Sequence, residues 1–151
     1  MSVLIITLNY NQVQYTLNCV ESLLNSEYKE FKVLVVDNGS EKNNYDKLKA
    51  QLPNDERIIL HRIEVNRGYV GGINYGLEKG LLYNLNYFLI MNNDVVIEKS
   101  AITELVKTCK GYNDKAIVIG KIYLFDKPDT FQYVGSKYIN RRKLEFKKIG
   151  K

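Results

Sequence analysis

A single histidine, His61, and two cysteines, Cys19 and Cys109, are all that the 151 residues offer of the soft metal ligands. A histidine-based metal cluster is therefore excluded, and no Ser-His-Asp hydrolytic set can be assembled, because His61 lies inside a run patterned as a strand. The cysteines stand far apart, lack a CxxC partner and fall in helical patterns, which reads as two buried, reduced thiols rather than a disulfide or a metal site. No apolar run approaches the roughly 20 residues of a membrane span, and no charged-then-apolar leader precedes the first strand. A cytoplasmic protein is expected. Neither GxxxxGK[ST] nor GxGxxG occurs, so a Walker loop and a dinucleotide fingerprint are both absent.

An even excess of positive charge is missing too. The net charge of +5 and pI near 9.1 suggest a nucleic-acid partner, yet residues 137–151 hold seven Lys or Arg against one Glu. The remainder carries 15 basic and 16 acidic side chains. Nucleic acid is not an expected partner of so neutral a body. The basic end reads as a solvated or partly disordered tail, with peripheral contact to anionic lipid as its functional alternative.

What is present is a repeated order of apolar run, polar cluster and helical pattern. With 45% hydrophobic residues, one domain over residues 1–136 is expected, followed by the tail at 137–151. Val3–Ile6 suits a strand buried on both faces; Thr7, Asn9, Tyr10 and Asn11 follow, and Val13, Leu17, Val20 and Leu24 then recur at helical spacing. Val33–Val36 runs into Asp37, Asn38, Gly39 and Ser40, with Ser40 as N-cap of a helix carrying Tyr45, Leu48 and Leu52, closed by Pro53. Ile58–Ile63 is interrupted by His61 and Arg62, which marks a strand nearer an edge. A Gly-rich loop, Asn66–Gly72, leads to a helix with Ile73, Leu77 and Leu81 inward. Phe88–Met91 reads as a buried strand ending at Asn92, Asn93 and Asp94, before Ser100 caps a helix through Ile102, Leu105, Val106 and Cys109 that Gly111 ends. Further strands are expected at Ile117–Ile119, Ile122–Phe125 and around Phe131, Tyr133 and Gly135, closing the sheet.

Four strand-to-helix units in a row predict an α/β fold: a Rossmann-like, mostly parallel sheet with helices on both faces. Ligands of such sheets bind beyond the carboxyl ends of the strands, where every polar cluster falls. The side chains there suit a nucleotide. Asp37 offers acceptors for base or ribose donors, and Tyr10 an aromatic face for stacking. The Gly-rich loop allows close backbone approach, Arg67 can meet a phosphate, and the following helix presents its positive end. Asp94, flanked by two amides, can hold a hard cation that takes its other ligands from water and a diphosphate.

Thr7–Asn11, Val36–Ser40, Asn66–Gly76 and Asn92–Asp94, in that order, resemble the signatures of family 2 glycosyltransferases, nearest to rhamnosyltransferase-like and galactofuranosyltransferase-like enzymes. The resemblance covers roughly the first 100 residues. It implies a GT-A fold, inversion at the anomeric carbon, a Mg or Mn ion and a UDP- or dTDP-linked sugar. The implied acceptor is a saccharide or lipid-linked molecule in cell-surface polysaccharide synthesis. Nucleotide-sugar binding would fall to Thr7, Asn9, Tyr10, Asn11, Asp37, Asn38, Asn66, Arg67, Gly68, Gly72, Asn74, Asn92 and Asn93, and metal binding to Asp94. Two departures stand out. The metal motif has one carboxylate where many relatives have two or three. No later acidic motif supplies the base that an inverting transferase needs; the carboxylates after Asp94 are Glu98, Glu104, Asp114, Asp126, Asp129 and Glu145. A donor-binding half is therefore expected, with a non-catalytic nucleotide-binding module as the alternative.

Overall fold

The structure is a computed structural model that describes residues 1–134, 136–140 and 145–148, the last two stretches as backbone strands. Contacts divide the chain into two units, Met1–Ser100 and Ala101–Lys151. The first unit runs β1 (Val3–Asn9), α1 (Val13–Leu24), β2 (Phe31–Asn38), α2 (Lys42–Gln51), β3 (Ile58–Ile63), α3 (Gly68–Gly80) and β4 (Tyr87–Ile90), with a single 3-10 turn at Leu81–Tyr83 before β4. All four strands are parallel in the order β3-β2-β1-β4. Successive crossovers move outward from β1 to β3, and the last returns to β1's other side. The order thus reverses between β1 and β4, which opens a crevice at their carboxyl ends.

Alternation along β1 and β2 sends side chains to two different helix layers. Leu4, Ile6, Leu34 and Val36 join Ile63 and Ile73 in a core under α3. The opposite residues lie under α1 and α2, whose inward side chains are Val13, Thr16, Cys19, Val20, Leu23 and Leu48. Helices therefore cover both faces, as expected. The α3 layer is close because of a glycine stripe: a Cβ at Gly72, Gly76 or Gly80 would lie 2.8, 2.7 or 2.5 Å from Leu8, Ile6 or Leu4 respectively. Four helical residues advance about 6 Å and two strand residues about 6.6 Å, so the stripe keeps step with every second residue of β1. Gly76→Val is accordingly expected to destabilise the protein by about 2 to 3 kcal/mol, since Ile6 Cγ2 is fixed to its Cβ and cannot swing aside. Urea unfolding checks this, and a loss below about 0.5 kcal/mol, the usual range for a surface change, would contradict it.

Several boundaries differ from the sequence expectation. Thr7 and Asn9 belong to β1, and Asp37 and Asn38 to β2, because ladder pairing with the neighbouring strands continues through Asn9↔Asp37 and Asn38↔Ile63. The Gly-rich segment is not a loop from Gly68 onward but the first turn of α3. Leu81 points away from the core and is 70% exposed, because α3 ends one residue earlier. Glu41, not Ser40, occupies the N-cap of α2, and no side chain bonds there. β4 is an edge strand rather than a buried one, leaving Phe88 and Ile90 about two-fifths exposed at 39% and 43%. β3 is the other edge, as its interrupted pattern predicts. Arg57, just before β3, lies over the Phe31 ring and holds the Asp55 carboxyl at about 2 through paired hydrogen bonds.

The second unit contains α4 (Ala101–Gly111) and four strands, β5 (Ile122–Leu124), β6 (Lys127–Tyr133), β7 (Ser136–Asn140) and β8 (Glu145–Lys148). These strands do not close the parallel sheet. They pair among themselves as two antiparallel hairpins, β5 with β6 and β7 with β8. Ile117–Ile119 forms no strand. Gly135 and the tail's Arg141, Arg142, Lys143 and Lys151 lie outside the described residues.

Candidate nucleotide and metal site

Beyond the carboxyl ends of the strands, buried polar side chains replace the apolar core. Asn9 is fully buried and saturated: its Nδ2 donates to Asp37 Oδ2 at 2.7 Å and Ser40 Oγ at 3.1 Å, and its Oδ1 accepts from Thr16 Oγ1 at 2.8 Å. Ser40 N donates to Asp37 Oδ1 at 3.2 Å, so both oxygens of that carboxylate have partners. On the other side, Asn93 Nδ2 donates to Thr16 Oγ1 at 3.0 Å. One chain of hydrogen bonds therefore runs from the β4 end through α1 and β1 to the β2 end.

Two further clusters fix the loops. Asn11 takes a left-handed conformation, φ 58°, and its Oδ1 accepts from Glu41 N and Asn44 Nδ2, tying the β1–α1 loop to the start of α2. Asn38 clasps the α3 entrance, accepting from Arg67 N at 3.1 Å and donating to Asn66 Oδ1 and Gly68 O at 3.1 and 3.0 Å. Gly39 sits at φ 80°, and a Cβ there would come 2.4 Å from Asn66 N, so only glycine lets β2 and the α3 entrance meet. Beside these, Arg62 lies over the Tyr45 ring at 4.3 Å, and its Nη2 approaches the Ser40 carbonyl at 3.4 Å.

These arrangements set the expected ligand residues at different depths. Asn9 and Asp37 have no exposed surface, and Thr7 is equally buried. Each is committed to the interior rather than presented at a surface. Thr7 Oγ1 has no hydrogen bond of ordinary geometry. The neighbouring Cys19 thiol is pushed up to about 11, chiefly by burial, with Thr7 lowering it and the Asp94 carboxylate raising it. Cys19 is thus a protonated core thiol, free as expected, and Cys109 is also free but only half-buried. Asn11, Asn38 and Asn66 act as clasps, and Gly72 is buried against Leu8. Of the expected site residues, the exposed ones are Tyr10, Asn66, Arg67, Gly68, Asn74, Asn92 and Asp94. Arg67 leans along α3 over the Tyr75 ring at 5.8 Å, in the space that Gly71 leaves.

Of two further residues that matter here, Ser40 was read from sequence only as a helix cap and Thr16 was not singled out. Thr16 and Ser40 are the junctions of the buried chain, and Thr16 announces itself as a hydroxyl on the otherwise apolar inward stripe of α1. Among the described residues, no three His, Cys, Asp or Glu gather as a metal cage. Asp94 is one exposed carboxylate just past β4, at the crevice where the strand order reverses. Such a donor fits a hydrated Mg or Mn ion that takes its remaining ligands from water and phosphate, not a cation needing an all-protein shell.

A profile described as Glycosyl transferase family 2 matches residues 2–151. The chain belongs to glycosyl transferase family 2. It is similar to the glycosyltransferase GlyG of Streptococcus pneumoniae, with 29% identity over 123 residues, 80% of this chain and 38% of that protein. Among solved structures it resembles S. aureus TarS 1-349 in complex with UDP-GlcNAc at TM-score 0.62 and 17% identity, over 84% of this chain and 42% of that one. It also resembles the mannosyltransferase PcManGT of Pyrobaculum calidifontis, in complex with GDP-Man and Mn2+, at TM-score 0.60 and 17% identity, over 80% and 34% of the two chains. The shared architecture is the GT-A type expected from the strand-end motifs. This family 2 chain spans about two-fifths of the length of two curated relatives it matches and about one-fifth of a third. Among the described residues no helix is long and apolar enough to cross a membrane.

Proposed function

We propose that this chain is the donor-binding part of an inverting glycosyltransferase that uses a UDP- or dTDP-linked sugar and a divalent cation. The observation that carries the reading is the exposed Asp94 just past β4, at the β1/β4 crevice of a sheet whose α3 entrance is held in place by Asn38. Tyr10, half exposed, supplies the stacking face for the base. Arg67 and the positive end of α3 meet the diphosphate, with Asn74 further along the same helix on the donor side. Asn9 and Asp37 act from beneath, holding the loops that carry Tyr10 and the α2 start. Asp94 would hold a Mg or Mn ion, which when bound neutralises charge on the leaving diphosphate.

The acceptor we propose is a saccharide or lipid-linked molecule in cell-surface polysaccharide synthesis, handled in the cytoplasm. The basic residues between 137 and 151 support a peripheral contact with anionic lipid. Asn92-Asn93-Asp94, with its single carboxylate, supports the rhamnosyl or galactofuranosyl type of donor. Transfer also needs a carboxylate about 3 Å from the acceptor hydroxyl. Asp37 is buried with both oxygens engaged, and Asp94 is assigned to the cation. The chain on its own is therefore expected to retain labelled nucleotide sugar in the presence of Mn2+ while forming no glycoside with saccharide or lipid-linked acceptors. Failure to retain any nucleotide sugar would overturn the proposal. Glycoside formation at about 1 per second, a working enzyme's rate, would instead locate a base among Asp114, Asp126, Asp129 and Glu145.

A further inference from the structure

We infer that Thr16, on α1, is a positioning residue that couples the two ends of the donor site: the cation end at Asp94 and the nucleoside end at Tyr10. The inference rests on the nucleotide-and-cation reading of the site and adds a residue to it. The geometry is that of one hydroxyl between two amides. Thr16 Oγ1 accepts from Asn93 Nδ2 at 3.0 Å and lies 2.8 Å from Asn9 Oδ1, with the Gln12 carbonyl a longer alternative at 3.1 Å. A hydroxyl has one proton to give. Asn9 Oδ1, the nearer acceptor, takes it.

Direction along this chain is set by its far end. Asp37, as a carboxylate, only accepts, so Asn9 must turn its NH2 toward Asp37 and Ser40 and its carbonyl toward Thr16. Thr16 then has lone pairs left for Asn93, whose NH2 faces it. Asn93 immediately precedes Asp94, and Asn9 immediately precedes Tyr10. All five network side chains are buried, so water does not substitute for a lost partner without a rearrangement. A displacement of the Asp94 loop on binding a cation is therefore felt at the Tyr10 loop through Thr16.

The test compares wild type with Thr16→Val, which removes the hydroxyl at nearly constant shape, and Thr16→Ser, which keeps it. Calorimetric titration with UDP, in Mn2+ and in EDTA, gives the factor by which Mn2+ tightens UDP. That factor is expected to fall at least about five-fold in Thr16→Val, the lower end of ordinary coupling between sites, and to return in Thr16→Ser. Hydrogen exchange without ligand supplies an independent readout: Thr16→Val should speed exchange in both the Tyr10–Gln12 and Asn92–Asp94 loops. An unchanged Mn2+ factor in Thr16→Val, or faster exchange in one loop alone, overturns the inference. If wild type bound no UDP, the nucleotide reading itself would fail, and exchange alone would decide the role of Thr16. Should Thr16→Val not fold, Asn93→Ala cuts the same link from its other end, with the same losses expected.

Discussion

Asp94→Ala is expected to abolish the Mn2+-dependent part of nucleoside diphosphate binding while leaving the fold intact. Asp94 is exposed and makes no side-chain hydrogen bond or ion pair among the described residues, so its removal should change stability by less than about 0.5 kcal/mol. For the ligand the outcome differs. A carboxylate bound to a cation contributes a charge-assisted interaction of about 1.5 to 3 kcal/mol, or roughly 10- to 150-fold in affinity. Among the described residues no group of three His, Cys, Asp or Glu gathers as a metal cage, so the variant keeps no preformed all-protein site for the cation. Titration of the variant with UDP in Mn2+ and in EDTA should give the same weak affinity in both. A preserved Mn2+ effect would remove Asp94 from the site.

Asp37→Ala should have the opposite signature, a large loss of stability together with weaker nucleoside binding. The carboxylate is fully buried, and alanine would leave Asn9 Nδ2 and Ser40 N without their acceptor. Each buried donor left unsatisfied costs about 1 to 3 kcal/mol. The sum, about 2 to 6 kcal/mol, is a large share of the roughly 5 to 15 kcal/mol that holds a domain folded. Asn is no remedy. An amide in place of the carboxylate turns one of the two acceptors into an NH2 facing a donor, either Ser40 N–H or the Asn9 amide. Urea unfolding of Asp37→Ala and Asp37→Asn checks this; a loss below about 1 kcal/mol, the low end of the cost of one orphaned donor, would show that the network carries little of the stability.

The fold was largely legible because its signals are local. Runs such as Val33–Val36 and the 3.6-residue recurrence on α1 report burial directly, and Pro53 does end α2 at Gln51, with Leu52 turning extended. Strand order is not local, and nothing in the residues of β4 announces pairing with β1 rather than β3. The sites of polar residues were legible, but not which way they face. Asn9 and Asp37 follow apolar runs and look like open loop residues, yet the ladder carries both into the interior, where Asn9 donates to Asp37. Thr16 was hidden for the converse reason: it occupies an inward helical position where an apolar residue is the ordinary choice. Gly72 reads from sequence as the end of a Gly-rich loop, whereas with Gly76 and Gly80 it forms the close contact that brings α3 onto β1.

The most direct measurement is calorimetric titration of the unmodified chain with UDP and dTDP, each with Mn2+ and with EDTA. Exothermic binding that strengthens at least about ten-fold with Mn2+, within the range of one charge-assisted ligand, is the predicted result. Absence of binding to either nucleotide at millimolar concentration, or binding of equal strength in EDTA, would contradict the assignment of the strand-end crevice as a metal-dependent nucleotide site.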